Sequence, residues 1–422
     1  MKNVLKLVLV LAFVSIARAD AADWPHWRGP HDNGSVNEGN YPVQWDANHV
    51  SWRVPLPGKG SSTPVVWDKR IFLTAPAEGQ DAVMAFDWQG KMLWQTPLGQ
   101  AKTGKHPASS SCNPSAVTDG QGVFAIFNSG TLAGLDLDGT VRWKTNLVDR
   151  FGPETRFFDP GTSPALTDKA VICSRIHHGD SWVAAFDKVS GQMLWKVARN
   201  YETPNEGDQG YSTPILVRHQ GRDCVLVWGA EHLTAYDPAD GRLLWSCGGF
   251  NPGRDEFWPT IASPLVAGDK VIVAAGRSDR GQPRLHGVQL GGQGDVTATS
   301  RVWNRQDTGT FVPTPAEYRG RVYLLRDRGE IECIDPETGK ALWQGALPKT
   351  SLLYYASPTI AGDKLYAARE DGTIFVVRIV EKFEILSQNG MGERVIASPV
   401  PVLNRLLIRG EKHLFSIGGY CP

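Results

Sequence analysis

Cysteine is scarce in this chain. Six residues, Cys112, Cys173, Cys224, Cys247, Cys333 and Cys421, are spread over 422 positions, with no adjacent pair and no C-x-x-C spacing. That removes the ligand pattern of a structural zinc site. A chain this long can bury a core without covalent staples, so most of the six are expected as buried thiols. Net charge is also lacking: 44 basic residues balance 44 acidic ones. The basic excess of a polyanion binder is absent, and no nucleic-acid partner is expected. Beyond the first twenty residues no apolar run is long enough to span a bilayer. No segment holds a helical period, and no Gly-x-Ser-x-Gly elbow occurs. Asp255 and Glu256 are sequence neighbours that point to opposite sides of an extended chain, unlike the facing carboxylates of a glycosidase.

What the chain has in quantity is turn residues and indoles: 45 Gly, 28 Pro and 15 Trp. Its first 19 residues read as a signal peptide. Lys2 and Lys6 precede an apolar stretch from Leu7 to Ile16, and Ala17-Arg18-Ala19 fits a small-x-small cleavage site. Cleavage there would leave a slightly acidic mature chain. Export to the periplasm or medium is therefore expected, and with the first cysteine at Cys112 no lipid anchor at the cut is expected.

One pattern recurs along the remainder. A small residue, a proline and an apolar pair occur at Thr63-Pro64, Asn113-Pro114, Ser163-Pro164, Thr213-Pro214, Ser263-Pro264, Thr314-Pro315, Ser357-Pro358 and Ser398-Pro399. The proline-to-proline steps are 50, 50, 50, 50, 51, 43 and 41 residues. Each unit continues through a polar turn, a run of Val, Ile and Ala, an Asp-Gly turn and a segment centred on tryptophan. About four short strands per repeat, joined by tight turns, predict the blades of an all-β propeller. A parallel β-helix has shorter, less hairpin-like repeats. The last unit runs out one strand short, after His413–Ile417, while Val50-Ser51-Trp52-Arg53-Val54 precedes the first unit. The expected architecture is an eight-bladed β-propeller of four-stranded antiparallel blades, closed by an N-terminal strand in the last blade. Closure of this kind removes two exposed sheet edges. The expected division is a signal peptide at 1–19, a lead segment at 20–45, one propeller at 46–418 and a tail at 419–422.

The repeat Ala185-x-Asp187-x-x-Ser190-Gly191-x-x-x-Trp195 recurs with Asp237, Gly241 and Trp245 and again with Asp335, Gly339 and Trp343. It resembles the tryptophan docking motif of pyrroloquinoline quinone (PQQ) propeller repeats. Aspartate and Ser/Thr cap a tight turn, glycine takes the left-handed position, and the indole packs on the neighbouring blade. Copies ending at Trp94 and Trp143 are one residue shorter, the unit ending at Trp303 carries an insert, and the last two units lack the motif. The opening Trp24-Pro25-x-Trp27-Arg28-Gly29-Pro30 is similar to the start of BamB-like repeat proteins. The resemblance implies two alternatives. One is a PQQ-dependent alcohol or sugar dehydrogenase, which would bring PQQ and calcium. The other is a non-catalytic envelope scaffold like the outer-membrane assembly factor BamB, which binds no quinone. The dehydrogenases usually carry a Cys-Cys disulfide over the cofactor, and this chain has none. No cofactor is expected, and the scaffold reading, with an envelope or secreted protein partner and a monomeric ring, takes precedence.

Propeller ligands bind at the channel mouth. Residues just before each inner strand face it: Lys59, His106, Asp159, Asp208, Glu256, Trp258, Tyr354 and Glu393. The third unit adds His177, His178 and Asp180 from the loop between its second and third strands. Imidazoles and carboxylates there could hold a cation or orient a polar ligand. Trp258 falls outside the docking register and is the aromatic candidate for ligand contact, which makes a carbohydrate or small-ligand binder a third alternative. Gly58-Lys59-Gly60-Ser61-Ser62 lacks the phosphate-loop spacing and reads as a turn.

Overall fold

In each unit the apolar runs form strands because both sheet faces are covered by neighbouring sheets. In the second strand of the first unit, Ile71, Phe72, Leu73, Thr74 and Ala75 are all buried, without the in–out alternation of a half-exposed strand. The computed structural model describes residues 23–418, so the expected leader and Cys421 lie outside the described residues. Eight antiparallel four-stranded sheets make the ring, two of them extended by one short parallel strand. The first seven blades span 65–100, 117–146, 165–198, 215–247, 265–305, 316–346 and 359–390. The eighth combines 400–418 with Val50–Pro55, which pairs antiparallel to His413–Gly418 and sets Trp52 opposite Ser416. The eight-bladed, N-terminally closed propeller is thus the fold.

The indoles lie between blades. Trp52, Trp94, Trp143, Trp195 and Trp303 each donate the ring N–H to a turn carbonyl of the next blade, at 2.8–3.0 Å. Each covers the glycine of that turn, Gly90, Gly139, Gly191, Gly241 and Gly339. Trp245 faces the insert of the fifth blade instead, where Gly294–Asp295 pairs in parallel with Trp245 and Ser246. Trp343 meets Phe383, the seventh blade having no docking turn.

Hydroxyls stitch the inner strands into a closed ring. The N–H groups of Thr63, Ser115, Ser163, Thr213, Ser263, Thr314, Ser357 and Ser398 each donate to the hydroxyl of the next member, and Ser398 donates back to Thr63. The small residue before each proline is small and hydroxylic because it fits this girdle. The second blade departs from the expected register: Ser115, two residues beyond Asn113, supplies its hydroxyl, and Asn113 instead bonds Ser61, Ser109 and Ser110.

The lead segment is not a mere approach to the ring. Trp24 pairs with Val66 of the first blade, and the Pro25 carbonyl accepts from Thr118 of the second. The chain then crosses the channel. Arg28, 2% exposed, donates to the carbonyls of Pro315 and Pro358 in the sixth and seventh blades, both at 2.9 Å. Ser35–Val36 next adds a parallel strand to Thr359–Ala361, and Tyr41 and Trp45 are buried beside the seventh and eighth blades. Burial lowers the Arg28 guanidinium to about 9, so its two carbonyl acceptors hold a charge largely shut off from water. Replacing Arg28 with Ala should lower unfolding stability by about 2 kcal/mol, the cost of two charged hydrogen bonds less the relief of a buried charge. Urea denaturation measures it, and an unchanged midpoint would show that the crossing carries no strain-bearing contact.

Cys112, Cys173, Cys224, Cys247 and Cys333 are free and buried, as expected of core thiols. Burial pushes the Cys112 and Cys173 thiols up to about 12, which keeps them protonated and unreactive.

Candidate functional site

The crossing lead segment makes the channel a blind cup. Trp27 lines a cavity of about 370 Å³ on one side and a smaller space of about 210 Å³, shared with Arg28 and the inner strands of the second to fourth blades, on the other. The larger space is the candidate site. Its walls are mostly apolar and aromatic: Phe158, Tyr211, Phe311, Tyr354 and Tyr355 join Trp27. Part of its mouth is roofed by the loop after the first blade. There the Pro107 carbonyl accepts from Lys59 and from Arg394, which reaches over from the loop before the eighth blade.

The charged groups in the walls are few and unequal. Arg277, at the end of the second strand of the fifth blade, forms a two-pronged pair with Asp279 at 2.8 and 2.7 Å and lies 4.2 Å from the centre of the Phe311 ring. Asp327, 4% exposed, takes the N–H groups of Phe311 and Val312 at 2.9 and 3.0 Å. Burial pushes its carboxyl up, and those two N–H groups offset part of the rise. Asp159 accepts the Lys105 N–H at 2.5 Å and the Ser109 hydroxyl at 2.7 Å, both on one oxygen. Neither Asp159 nor Asp327 has a cationic partner among the described residues.

The residues singled out from the sequence divide into two groups. His106, Asp159 and Tyr354 line the cavity; His106 meets Phe158 edge-on and its Nδ1 accepts the Ala108 N–H. The others do not converge there. His177 is buried against Thr155 and Glu154 and bonds the Asp180 carbonyl. Burial works against the Glu154 carboxylate, but Arg156 and His177 hold it far below the usual range, so this cluster is a structural ion pair. His178 is exposed and pairs with Asp208 at 3.0 Å on the rim. Glu256 is exposed, and Glu393 is occupied by His413 and two backbone N–H groups. Trp258 is 4% exposed, packs near Trp228 and Phe250 and lies under Arg284, outside the walls of the larger cavity.

Sequence reasoning missed Trp27, Arg277, Asp279 and Asp327. Arg277 ends the second strand of the fifth blade, and Asp279 and Asp327 follow the second strands of the fifth and sixth blades, in the same kind of loop as His177. Reading that loop in every unit would have found them.

The residues present do not fit a quinone with calcium. Among the described residues no three His, Cys, Asp or Glu side chains cluster to hold a metal. The one arginine in the walls is already neutralised by Asp279, while unpaired carboxylates remain. An acidic quinone would meet like charge there.

The family model described as outer membrane protein assembly factor BamB matches residues 35–179 and 179–379. Outer membrane protein assembly factor BamB of Yersinia pestis is 24% identical over 333 residues, spanning 76% of this chain and 75% of that protein. BamB from Moraxella catarrhalis superposes on 87% of this chain and 98% of its own with a TM-score of 0.59 and 16% identity. Quinohemoprotein alcohol dehydrogenase from Comamonas testosteroni superposes on 95% of this chain and 81% of its own, with a TM-score of 0.67 and 14% identity. At these identities the two structures establish a common fold and nothing finer.

Proposed function

Since this chain belongs to the family of outer membrane protein assembly factor BamB, we propose that it is a non-catalytic, exported scaffold that presents one face of the ring to a protein of the outer-membrane assembly machinery. The family match along 35–379 carries the reading. The surface supports it. Phe157 is 63% and Phe257 39% exposed, and each neighbours a cavity-lining side chain, Phe157 packing edge-on against Phe158 and Phe257 bonding Arg277. Phe157 bonds Gln209 through its N–H, Phe257 bonds the Asn205 carbonyl, and the Phe257 carbonyl accepts from cavity-lining Arg277. Exposed rings on loops fixed in this way are the usual anchors of a protein interface. The residues in the cavity walls do not fit the quinone of the dehydrogenase alternative.

A photo-crosslinking residue placed at Phe157 in the expressed full chain tests this. The expected product is a single adduct with an outer-membrane assembly component, lost on Phe257→Asp. Adducts only with abundant soluble envelope proteins, unaffected by that substitution, would overturn the reading.

A further inference from the structure

We propose that the blind cavity of the ring is a binding site for a small organic ammonium ion. The inference is independent of the protein-partner role above. It starts from the mismatch between walls and charge. Six aromatic side chains surround a space of about 370 Å³, a size typical of small-molecule sites. Three of these rings already carry a cation on their faces: Arg277 over Phe311 at 4.2 Å, Arg156 over Tyr211 at 5.7 Å and Arg28 over Trp27 at 5.7 Å. Tyr355 and Phe158 carry none among the described residues, and both line the cavity half-buried.

The unbalanced charge has the same sign as that requirement. With Arg277 neutralised by Asp279, the remaining wall charges are carboxylates. One oxygen of Asp159, 6% exposed, takes both of that side chain's hydrogen bonds and leaves the other without a partner among the described residues. Asp327 keeps its two N–H donors but has no counter-ion. A carboxylate in a largely apolar cup is costly unless a positive charge joins it. A cation with apolar substituents satisfies walls and charge together: its methyl or methylene groups meet the rings, and its charge meets Asp159 and the π faces. A metal ion would need a cluster of oxygen and nitrogen ligands, and the described residues supply no such cluster. A neutral sugar would leave the Asp159 charge uncompensated.

Isothermal titration of the full chain with choline, its neutral isostere 3,3-dimethylbutan-1-ol, and the anion 3,3-dimethylbutanoate tests the site. Choline is expected to bind at least about tenfold more tightly than the alcohol, and the anion not measurably, as cation–π and carboxylate contacts require. Tyr355→Leu and Asp159→Asn, each confirmed as folded by an unchanged melting transition, should weaken choline by about tenfold or more and leave the alcohol unaffected. Equal affinity for choline and the alcohol, no choline binding at millimolar concentration, or choline affinity untouched by both substitutions would overturn the proposal. Phosphatidylcholine vesicles offer the same group on a lipid. Cosedimentation abolished by Tyr355→Leu would assign the headgroup as the source, and its absence alongside choline binding would assign a free solute. Neither substitution should change the Phe157 cross-link, which keeps failure of this site apart from failure of the scaffold role.

Discussion

Trp143→Ala should lower unfolding stability by about 3–5 kcal/mol, the range for deleting a buried aromatic. Trp143 is 8% exposed and is held between two glycines. A Cβ on Gly134 of its own blade would come within 2.6 Å of the ring, and one on Gly191 of the third blade within 2.5 Å. Its N–H donates to the Lys188 carbonyl at 3.0 Å. The indole therefore joins two blades by packing and by one directional bond, with no slack on either face. Gly191 also has φ +69°, so an alanine there meets both the ring and the left-handed backbone penalty, which is about 1–2 kcal/mol alone. The two contributions separate in a cycle. Gly191→Ala should cost about 3 kcal/mol with Trp143 present and only the backbone share, about 1 kcal/mol, in the Trp143→Ala background. Chemical denaturation of the four proteins gives the coupling. Additive costs would mean that the indole does not rest on Gly191.

This contact explains why the ring was legible in the sequence. An indole can lie flat on the next blade only over a residue without a side chain, and only a tight turn brings that residue to it. Aspartate, glycine and tryptophan must then recur at one spacing in each blade that uses the device. Where another device is used, the pattern stops. The fourth-to-fifth junction replaces the turn with the Gly294–Asp295 insert, and the sixth-to-seventh uses Phe383. The hydroxyl girdle was legible only as a small residue beside a proline. The proline marks the register and the hydroxyl does not, so in the second blade the pattern points to Asn113 while Ser115 supplies the hydroxyl.

The site was less legible for a physical reason. Trp27 and Arg28 lie in a segment that occurs once and crosses the channel, so no periodicity marks them, and their partners are backbone carbonyls and loops some 290–330 residues away. Polar residues before the inner strands were recognised by position, but position does not say which way a side chain leaves the loop. His177 turns into the blade because Glu154 and Thr155 meet it there. Trp258 turns under Arg284, which covers its face. Asp159 turns into the cavity because Ser109 and the Lys105 N–H, from the preceding loop, hold one of its oxygens.

Asp81→Asn should stabilise the protein at pH 7 by about 3 kcal/mol, roughly two pKa units of linkage at 1.36 kcal/mol each. Asp81 lies in the third strand of the first blade with no exposure, and neither carboxylate oxygen has a hydrogen-bond partner of ordinary geometry among the described residues. Burial pushes its carboxyl up to about 6, and the Ser129 hydroxyl offsets only part of that. The unfolded chain releases the proton near 3.9. Between about pH 4 and 6 the folded state therefore binds more protons than the unfolded state, and stability falls as pH rises through that window. Above it the full cost of a buried, unpaired carboxylate is present; below it Asp81 is neutral in both states and the cost is gone. Other groups tilt the whole curve differently. His286, pushed down to about 3 by burial and by Arg301 and Arg284, favours folding as pH rises toward 6.5. The difference between variant and parent isolates Asp81 from them. Urea midpoints at half-unit intervals from pH 4 to pH 8 should show a gap that is near zero at pH 4, grows to about pH 6 and then stays constant. A gap independent of pH, or an asparagine variant less stable at pH 7, would show that Asp81 has a partner in the folded ring.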